Sequence, residues 1–168
     1  MRTALIYSFN THNTSVVAGL LKEELRDHDI EPINAEDVTG EQLLNYNNLI
    51  FGVPTWFNGE LPNYWDEFLP ELKELDLTGK KVAIFGNGDQ VGYPDNFVDA
   101  IGIMARIIEK LGAVIVGHVS VEGYTFEKSQ ALVNGKFYGL PLDFENQPVQ
   151  THDRINKWAQ QLIKEFGL

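Results

Sequence analysis

Four apolar, β-branched runs punctuate the chain, at Thr3 to Tyr7, Leu49 to Val53, Lys81 to Phe85 and Val114 to Val119. Each has the length and composition of a strand, and the stretches between the last three are long enough for a helix. Strands so uniformly apolar belong in the middle of a parallel sheet covered on both faces, because an antiparallel sandwich would show polar residues at every second position. A weaker segment, Ile30 to Ile33, reads as an edge strand.

Helical spacing is clearest over Thr14 to His28, Asn96 to Leu111 and Thr151 to Phe166. In the second, Phe97, Ile101, Met104, Ile108 and Leu111 form a continuous apolar stripe, and Gly112 is a natural stop. In the third, Ile155, Trp158, Ala159, Leu162 and Phe166 repeat the pattern, with Thr151 placed to cap its start. A fourth, acidic helix is expected over Tyr64 to Leu72. Five strands with interleaved helices give a three-layer, doubly wound α/β sandwich, whose ligands bind outside the carboxyl ends of the strands. Only Glu122 to Gln147 breaks the rhythm, with scattered Gly, Asn and Pro around Phe137 to Leu142, and it reads as an excursion interrupting the last strand. No repeat or linker divides the chain, so a single domain over 1–168 is expected.

Composition narrows the chemistry. With 43% hydrophobic and 22% charged residues, neither disorder nor a membrane class is suggested, and no apolar run approaches the roughly 20 residues of a spanning helix. The first residues lead into polar sequence without a cleavable secretory pattern, so a cytoplasmic protein is expected. The absence of cysteine excludes disulfides, thiolate metal sites and a cysteine nucleophile, leaving any redox work to a bound cofactor. A formal net charge of −11 argues against nucleic acid or anionic lipid and in favour of basic partners.

Three loops at expected strand ends carry the candidate site. Ser8-Phe9-Asn10-Thr11-His12-Asn13-Thr14-Ser15 supplies hydroxyls and amides where the first strand enters the first helix. Backbone N–H groups at a helix start can hold a phosphate without Lys or Arg, and neither the Gly-x-x-x-x-Gly-Lys nor the Gly-x-Gly-x-x-Gly pattern is present. A simple Asn13 or Thr14 helix cap explains this loop equally well when it is taken alone. Pro54-Thr55-Trp56-Phe57-Asn58-Gly59-Glu60-Leu61 places two large aromatics in a loop, where Trp56 can stack on a flat ring or pack under its own turn. Gly86-Asn87-Gly88-Asp89-Gln90-Val91-Gly92-Tyr93 combines glycines that admit close backbone approach with a second stacking face, Tyr93. Three such loops at one rim favour a planar, redox-active ring between Trp56 and Tyr93.

These residues resemble the long-chain flavodoxins of cyanobacteria and other bacteria over essentially the whole chain. The resemblance rests on Pro54-Thr55-Trp56, Gly59-Glu60-Leu61, the run Gly88 to Tyr93, Asp95-Asn96-Phe97 and the closing Glu165-Phe166-Gly167-Leu168. It implies a flavodoxin-like sheet of five parallel strands in the order 2-1-3-4-5, with the excursion corresponding to the insertion of long members. It implies non-covalent FMN, its phosphate in the loop Ser8 to Thr14 and its ring between Trp56 and Tyr93. Further contacts are implied from Pro54, Thr55, Phe57, Asn58, Gly59, Asn87, Gly88, Asp89, Asn96 and Asp143. Function is implied as a low-potential one-electron carrier, monomeric, substituting for ferredoxin with partners such as ferredoxin-NADP reductase and photosystem I. The family's phosphate pattern is Thr-x-Thr-Gly-x-Thr, whereas this chain has Phe9-Asn10-Thr11-His12-Asn13-Thr14, losing one hydroxyl and one glycine. If the glycine position needs φ > 0, His12 is strained there. A protonated His12 would return attraction to the phosphate, against the plainer reading of an exposed histidine indifferent to ligand. Phe57-Asn58 also departs from the family's Asn followed by an apolar residue, at the peptide expected to turn toward flavin N5 on reduction.

The expected mechanism is electrostatic. Acids around the ring make an anionic reduced flavin costly and so lower its potential, while hydrogen bonds to a protonated N5 separate the two one-electron steps. Glu60, Asp66, Glu67, Glu71, Glu74 and Asp76, opposed only by Lys73, form either a solvated helix face or a rim that steers basic partners. Two other readings share the fold: an FMN-dependent NAD(P)H quinone or nitro reductase, for which no nicotinamide or substrate site is evident, and a flavin-free interaction domain. A phosphoacceptor receiver of the latter kind would need clustered acids after the first strand, where Ser8 and Asn10 stand instead.

Overall fold

The computed structural model describes residues 1–168. Strands β1 (Thr3–Tyr7), β2 (Ile30–Asn34), β3 (Asn48–Gly52) and β4 (Lys81–Asn87) alternate with helices α1 (His12–Glu24), α2 (Gly40–Leu44), α3 (Asn63–Leu72) and α4 (Asp99–Lys110). They continue into β5 (Val114–Ile115), β6 (Val119–Ser120), β7 (Leu132–Val133), β8 (Lys136–Phe137), β9 (Leu140–Leu142) and α5 (Thr151–Phe166). The main sheet runs β2-β1-β3-β4-β5, all parallel, which is the order the family resemblance implies.

Side chains of a strand alternate between faces, so strands apolar at every position must be covered twice. Leu5, Ile50, Ala83 and Phe85 pack against Val17 and Leu21 of α1 and Ile155, Trp158 and Leu162 of α5. On the other face Ile6, Phe51 and Ile84 meet Trp65 of α3 and Ile101, Met104 and Ile108 of α4. Trp65 and Trp158 are fully buried, and each indole N–H finds a carbonyl, of Gly52 at 3.0 Å and of Gly117 at 2.8 Å.

The fifth strand position is filled by two separate pieces. β5 pairs with Lys81 and Val82 at the start of β4, and β9 pairs with Phe85, Gly86 and Asn87 at its end. Between them the chain forms an antiparallel ribbon, β6-β8-β7, so the excursion does interrupt the last strand. The expected strand Val114 to Val119 is shorter than its apolar run because Gly117 turns the chain at φ 80, where a Cβ would stand 2.8 Å from the Trp158 Nε1.

Helix ends depart from the sequence reading for local reasons. α1 starts at His12 rather than Thr14 and ends at Glu24 rather than His28. α4 starts at Asp99 because Val98, at φ 48, lies in the left-handed region and keeps Asn96 to Val98 outside the helix. Thr151 does not cap α5; it is buried in the first turn and its hydroxyl has no partner. α2 was not visible as an apolar stripe, being five residues long, and is held by a capping box in which Thr39 and Gln42 satisfy each other's backbone N–H groups. No helix is long and apolar enough to cross a membrane.

Candidate ligand cleft at the carboxyl edge of the sheet

β1, β3 and β4 end at the same edge, and their following loops close around a cavity of about 550 Å³, within the range of roughly 300–1,000 Å³ typical of small-molecule sites. Thr11, His12, Asn13 and Thr14 line it from the loop after β1, Pro54, Thr55, Trp56 and Phe57 from the loop after β3, and Asn87, Gly88, Asp89, Tyr93 and Asn96 from the end of β4 and the loop after it.

The first loop presents a helix start with nothing over it. Thr11 is the N-cap residue, yet its hydroxyl donates to the Ser8 carbonyl at 2.8 Å and accepts no cap hydrogen bond from the helix, and no acidic residue stands in the first turn. The first-turn N–H groups are therefore free to meet an anion. His12 lies within α1 with ordinary helical geometry, and the only non-glycine residues at positive φ are Phe57, Val98 and Asn134. The expectation of strain at His12 is overturned: the helix begins one residue earlier than a left-handed turn there would allow.

In the second loop Trp56 and Glu60 exchange backbone hydrogen bonds at 2.8 Å in both directions, closing a tight turn through Phe57 at φ 49 and Gly59 at φ 93. Trp56 is half-buried, held edge-on by Tyr64 at 5.9 Å between ring centroids. It does not bury itself under its own loop; it faces the cavity. Thr55 ties this loop to α4, its hydroxyl accepting from the Ala100 N–H at 3.1 Å and so supplying the cap that α4 otherwise lacks.

The third loop is organised by Asp89. Its Oδ1 accepts from the N–H groups of Gly92 at 2.7 Å and Val91 at 3.1 Å and from Asn146 Nδ2 at 2.7 Å. The Gly92 N–H, with Asn146 and Val91, holds the carboxyl below its usual range despite partial burial. The turn sets Tyr93, 46% exposed, on the cleft wall. Asn87 Oδ1 is buried there with no hydrogen-bond partner, which costs about 1–3 kcal/mol unless a ligand donor meets it.

Six residues singled out from the sequence do not line the cavity. Ser8 is fully buried behind the first loop, with its hydroxyl on Glu36 at 2.5 Å, and the Asn10 side chain also turns to Glu36, at 2.9 Å. Phe9 is half-exposed with its ring 4.9 Å from that of Tyr7. Asn58 and Gly59 form the tip of their turn, where a Cβ on Gly59 would come within 2.5 Å of Asp99 Oδ2. Asp143 is buried and its carboxylate is filled by internal donors from Gln90, Glu145 and Asn146. Conversely, Phe144 and Glu145 do line the cavity. They follow β9, so the signal for them was the return of the interrupted strand to the sheet edge.

The acidic segment has two parts. The Glu71 carboxylate accepts from the Gly40 N–H at 2.6 Å and that of Asp76 from the Thr78 N–H at 3.0 Å, so both are structural. Glu60, paired with Trp56 through the backbone, Asp66 and Glu67 on α3, and Glu74 just beyond its end remain exposed.

A doubly wound sheet of this strand order, with its cleft where the connections from β1 and β3 diverge, defines the flavodoxin-like class of α/β ligand carriers. The chain belongs to the flavodoxin family, whose pattern matches residues 5–158. It is 44% identical to a flavodoxin of Nostoc sp. over 172 aligned residues, covering 99% of this chain and 98% of that protein. It is 40% identical to flavodoxin 1 of Escherichia coli, covering 99% and 95%. Among solved structures, a Fusobacterium nucleatum flavodoxin bound to flavin mononucleotide superposes with a TM-score of 0.93 at 34% identity, covering 98% of this chain and 99% of that one.

Proposed function

We propose that this chain is a one-electron carrier that holds FMN in the cleft and passes electrons between larger redox proteins. The observation that carries the reading is the cavity itself, lined by the uncapped start of α1 and by Trp56 and Tyr93 from two further strand-end loops. Bound FMN supplies the redox chemistry. The first-turn N–H groups of α1, with the Thr14 hydroxyl, would hold its phosphate; Trp56 and Tyr93 would enclose its ring; the unpartnered Asn87 Oδ1 would accept from one of its N–H or O–H donors. Asp89 and Glu145 on the cleft lining and Glu60 at its margin keep negative charge near the ring, so an additional electron there is disfavoured and the potential is lowered. No side chain in the cleft is asked to transfer a covalent group, consistent with an electron-transfer protein rather than an enzyme.

The exposed acids on α3 and the net charge of −11 support basic redox proteins as partners, ferredoxin-NADP reductase and photosystem I among them. A monomer working in the cytoplasm fits this role. Anaerobic dithionite titration of the purified protein tests the function: two separated reduction steps in the flavin absorbance are expected. A colourless protein that takes up no added FMN overturns it. Electron transfer to a basic reductase is expected to slow as salt rises, and salt-independent rates would remove the acidic rim from the argument.

A further inference from the structure

Glu36 belongs to the loop after β2, yet both its carboxylate oxygens are occupied by the loop after β1. Oε1 accepts from Ser8 Oγ at 2.5 Å and Oε2 from Asn10 Nδ2 at 2.9 Å. These are two of the donors that the first loop's composition offers to a phosphate, and the carboxylate draws both away from the cleft. The two loops are tied together further: Asn34 Oδ1 accepts from the N–H groups of Phe9 at 3.2 Å and Glu36 at 3.3 Å, and the Ala35 N–H donates to the Tyr7 carbonyl at 2.9 Å. The carboxylate is thus fixed beside the helix start.

Its charge is not neutralised. The chain's two ion pairs are Arg2 with Glu31 and Lys157 with Asp153, neither in these loops. The neighbouring acid, Asp37, accepts from Asn34 Nδ2 and adds negative charge of its own. From α3 the Tyr64 phenol faces the same region, its hydroxyl buried and unpartnered, and it brings no positive charge.

We propose that Glu36 is a positioning residue that sets how much the phosphate contributes to cofactor binding. It shapes the first loop through Ser8 and Asn10, and its charge offsets part of the attraction that the α1 N-terminus exerts on a phosphate dianion. The chain therefore separates FMN from riboflavin less sharply than its free N–H groups would on their own. This inference rests on the reading that the cleft takes FMN. A unit charge and a double charge about 10 Å apart change binding by roughly fourfold in unscreened water and by roughly two- to threefold at about 0.01 M ionic strength.

The test compares apoprotein of the wild type, Glu36→Gln and Glu36→Asp, each titrated with FMN and with riboflavin by flavin fluorescence. Glutamine keeps an acceptor for Ser8 and removes the charge, and its Nε2 can donate to Asn10 Oδ1 once that amide turns over. At about 0.01 M ionic strength FMN is expected to bind Glu36→Gln about two- to fourfold more tightly with riboflavin unchanged, and the gain is expected to vanish at about 1 M salt, where screening reaches roughly 3 Å. Glu36→Asp, which keeps the charge, is expected to keep the wild-type ratio of the two affinities. Equal shifts for both flavins, or weaker FMN binding alone, would mean that Glu36 only shapes the loop, and the inference falls. Wild-type protein that binds neither flavin overturns the cofactor reading as well, whereas normal wild-type FMN binding with an unmoved ratio overturns this inference alone.

Discussion

Asp143 and Gln90, 53 residues apart, are joined by two hydrogen bonds to one carboxylate oxygen, from the Gln90 backbone N–H at 3.0 Å and its side-chain Nε2 at 2.9 Å. Through this pair the loop after β9 fixes the loop after β4, on which Asp89 and Tyr93 stand. The same carboxylate also accepts from the N–H groups of Glu145 at 3.1 Å and Asn146 at 3.0 Å.

Asp143→Ala leaves these donors without an acceptor in a buried place. Removing one partner of a buried, charge-assisted network costs more than the bonds themselves were worth, because the remaining groups stay desolvated. The expected loss is about 2–4 kcal/mol in urea unfolding of the apoprotein. FMN should also dissociate faster, since Tyr93 loses its support although Asp143 does not line the cleft. Unchanged stability would mean that the loops hold together without it.

Phe57 sits at φ 49 with 67% of its surface exposed. A bulky residue pays about 1–2 kcal/mol in the left-handed region, whereas asparagine enters it readily. Little packing is lost by removing so exposed a ring. Phe57→Asn is therefore expected to stabilise the apoprotein by about 1 kcal/mol, read as a higher urea midpoint at unchanged slope. Because the turn borders the cleft, the same variant should shift the flavin potentials, which a redox titration measures.

Much of this architecture could be read from the sequence, and the exceptions share a cause. The strands β1, β3 and β4 were legible because both faces of each are covered, which forces continuous apolar runs such as Leu49-Ile50-Phe51. The stripe Ile101, Met104, Ile108 announced α4. The three loops of the cleft followed from strand ends alone. What composition could not show was direction: Ser8 and Asn10 look like phosphate donors until Glu36, from another loop, claims both. Asp143 looks like a ligand contact until its network is seen, and Phe144 and Glu145 enter the cleft only because β9 returns to β4. These are long-range facts, carried by neither period nor propensity.

The lowered pKa of Asp89 has a pH signature. A carboxyl whose folded pKa lies below its unfolded value, about 3.9, contributes stability above that value and loses it as pH falls toward the folded pKa. Wild-type stability should therefore decline through the acid range below about pH 4–5. In Asp89→Asn this group no longer titrates, so the acid limb is expected to be shallower, while stability near neutral pH is lower because the Gly92 and Val91 N–H groups lose a charged acceptor. Urea midpoints measured between neutral pH and the acid limb check both signs. Parallel curves for the two proteins would remove Asp89 from the account.

Two glycines test how tightly the interrupted strand is seated. Gly139 precedes β9, and a Cβ there would collide with the Ile84 carbonyl of β4, a backbone group that cannot swing aside. Gly139→Ala must push β9 off the sheet, weakening the pairing of Leu140 with Phe85 and the bond from the Gly88 N–H to the Leu142 carbonyl at 2.8 Å. A loss of about 3 kcal/mol or more is expected, with weaker FMN binding because Gly88, Phe144 and Glu145 line the cleft. Gly19, by contrast, lies exposed within α1, and a Cβ there meets nothing within 4 Å. Gly19→Ala is expected to stabilise by about 0.5–1 kcal/mol through the smaller entropy of the unfolded chain and better helix propensity. Urea unfolding of the two apoproteins should move in opposite directions. If Gly139→Ala unfolds with the wild-type midpoint, β9 is not wedged against β4 as the backbone contact requires.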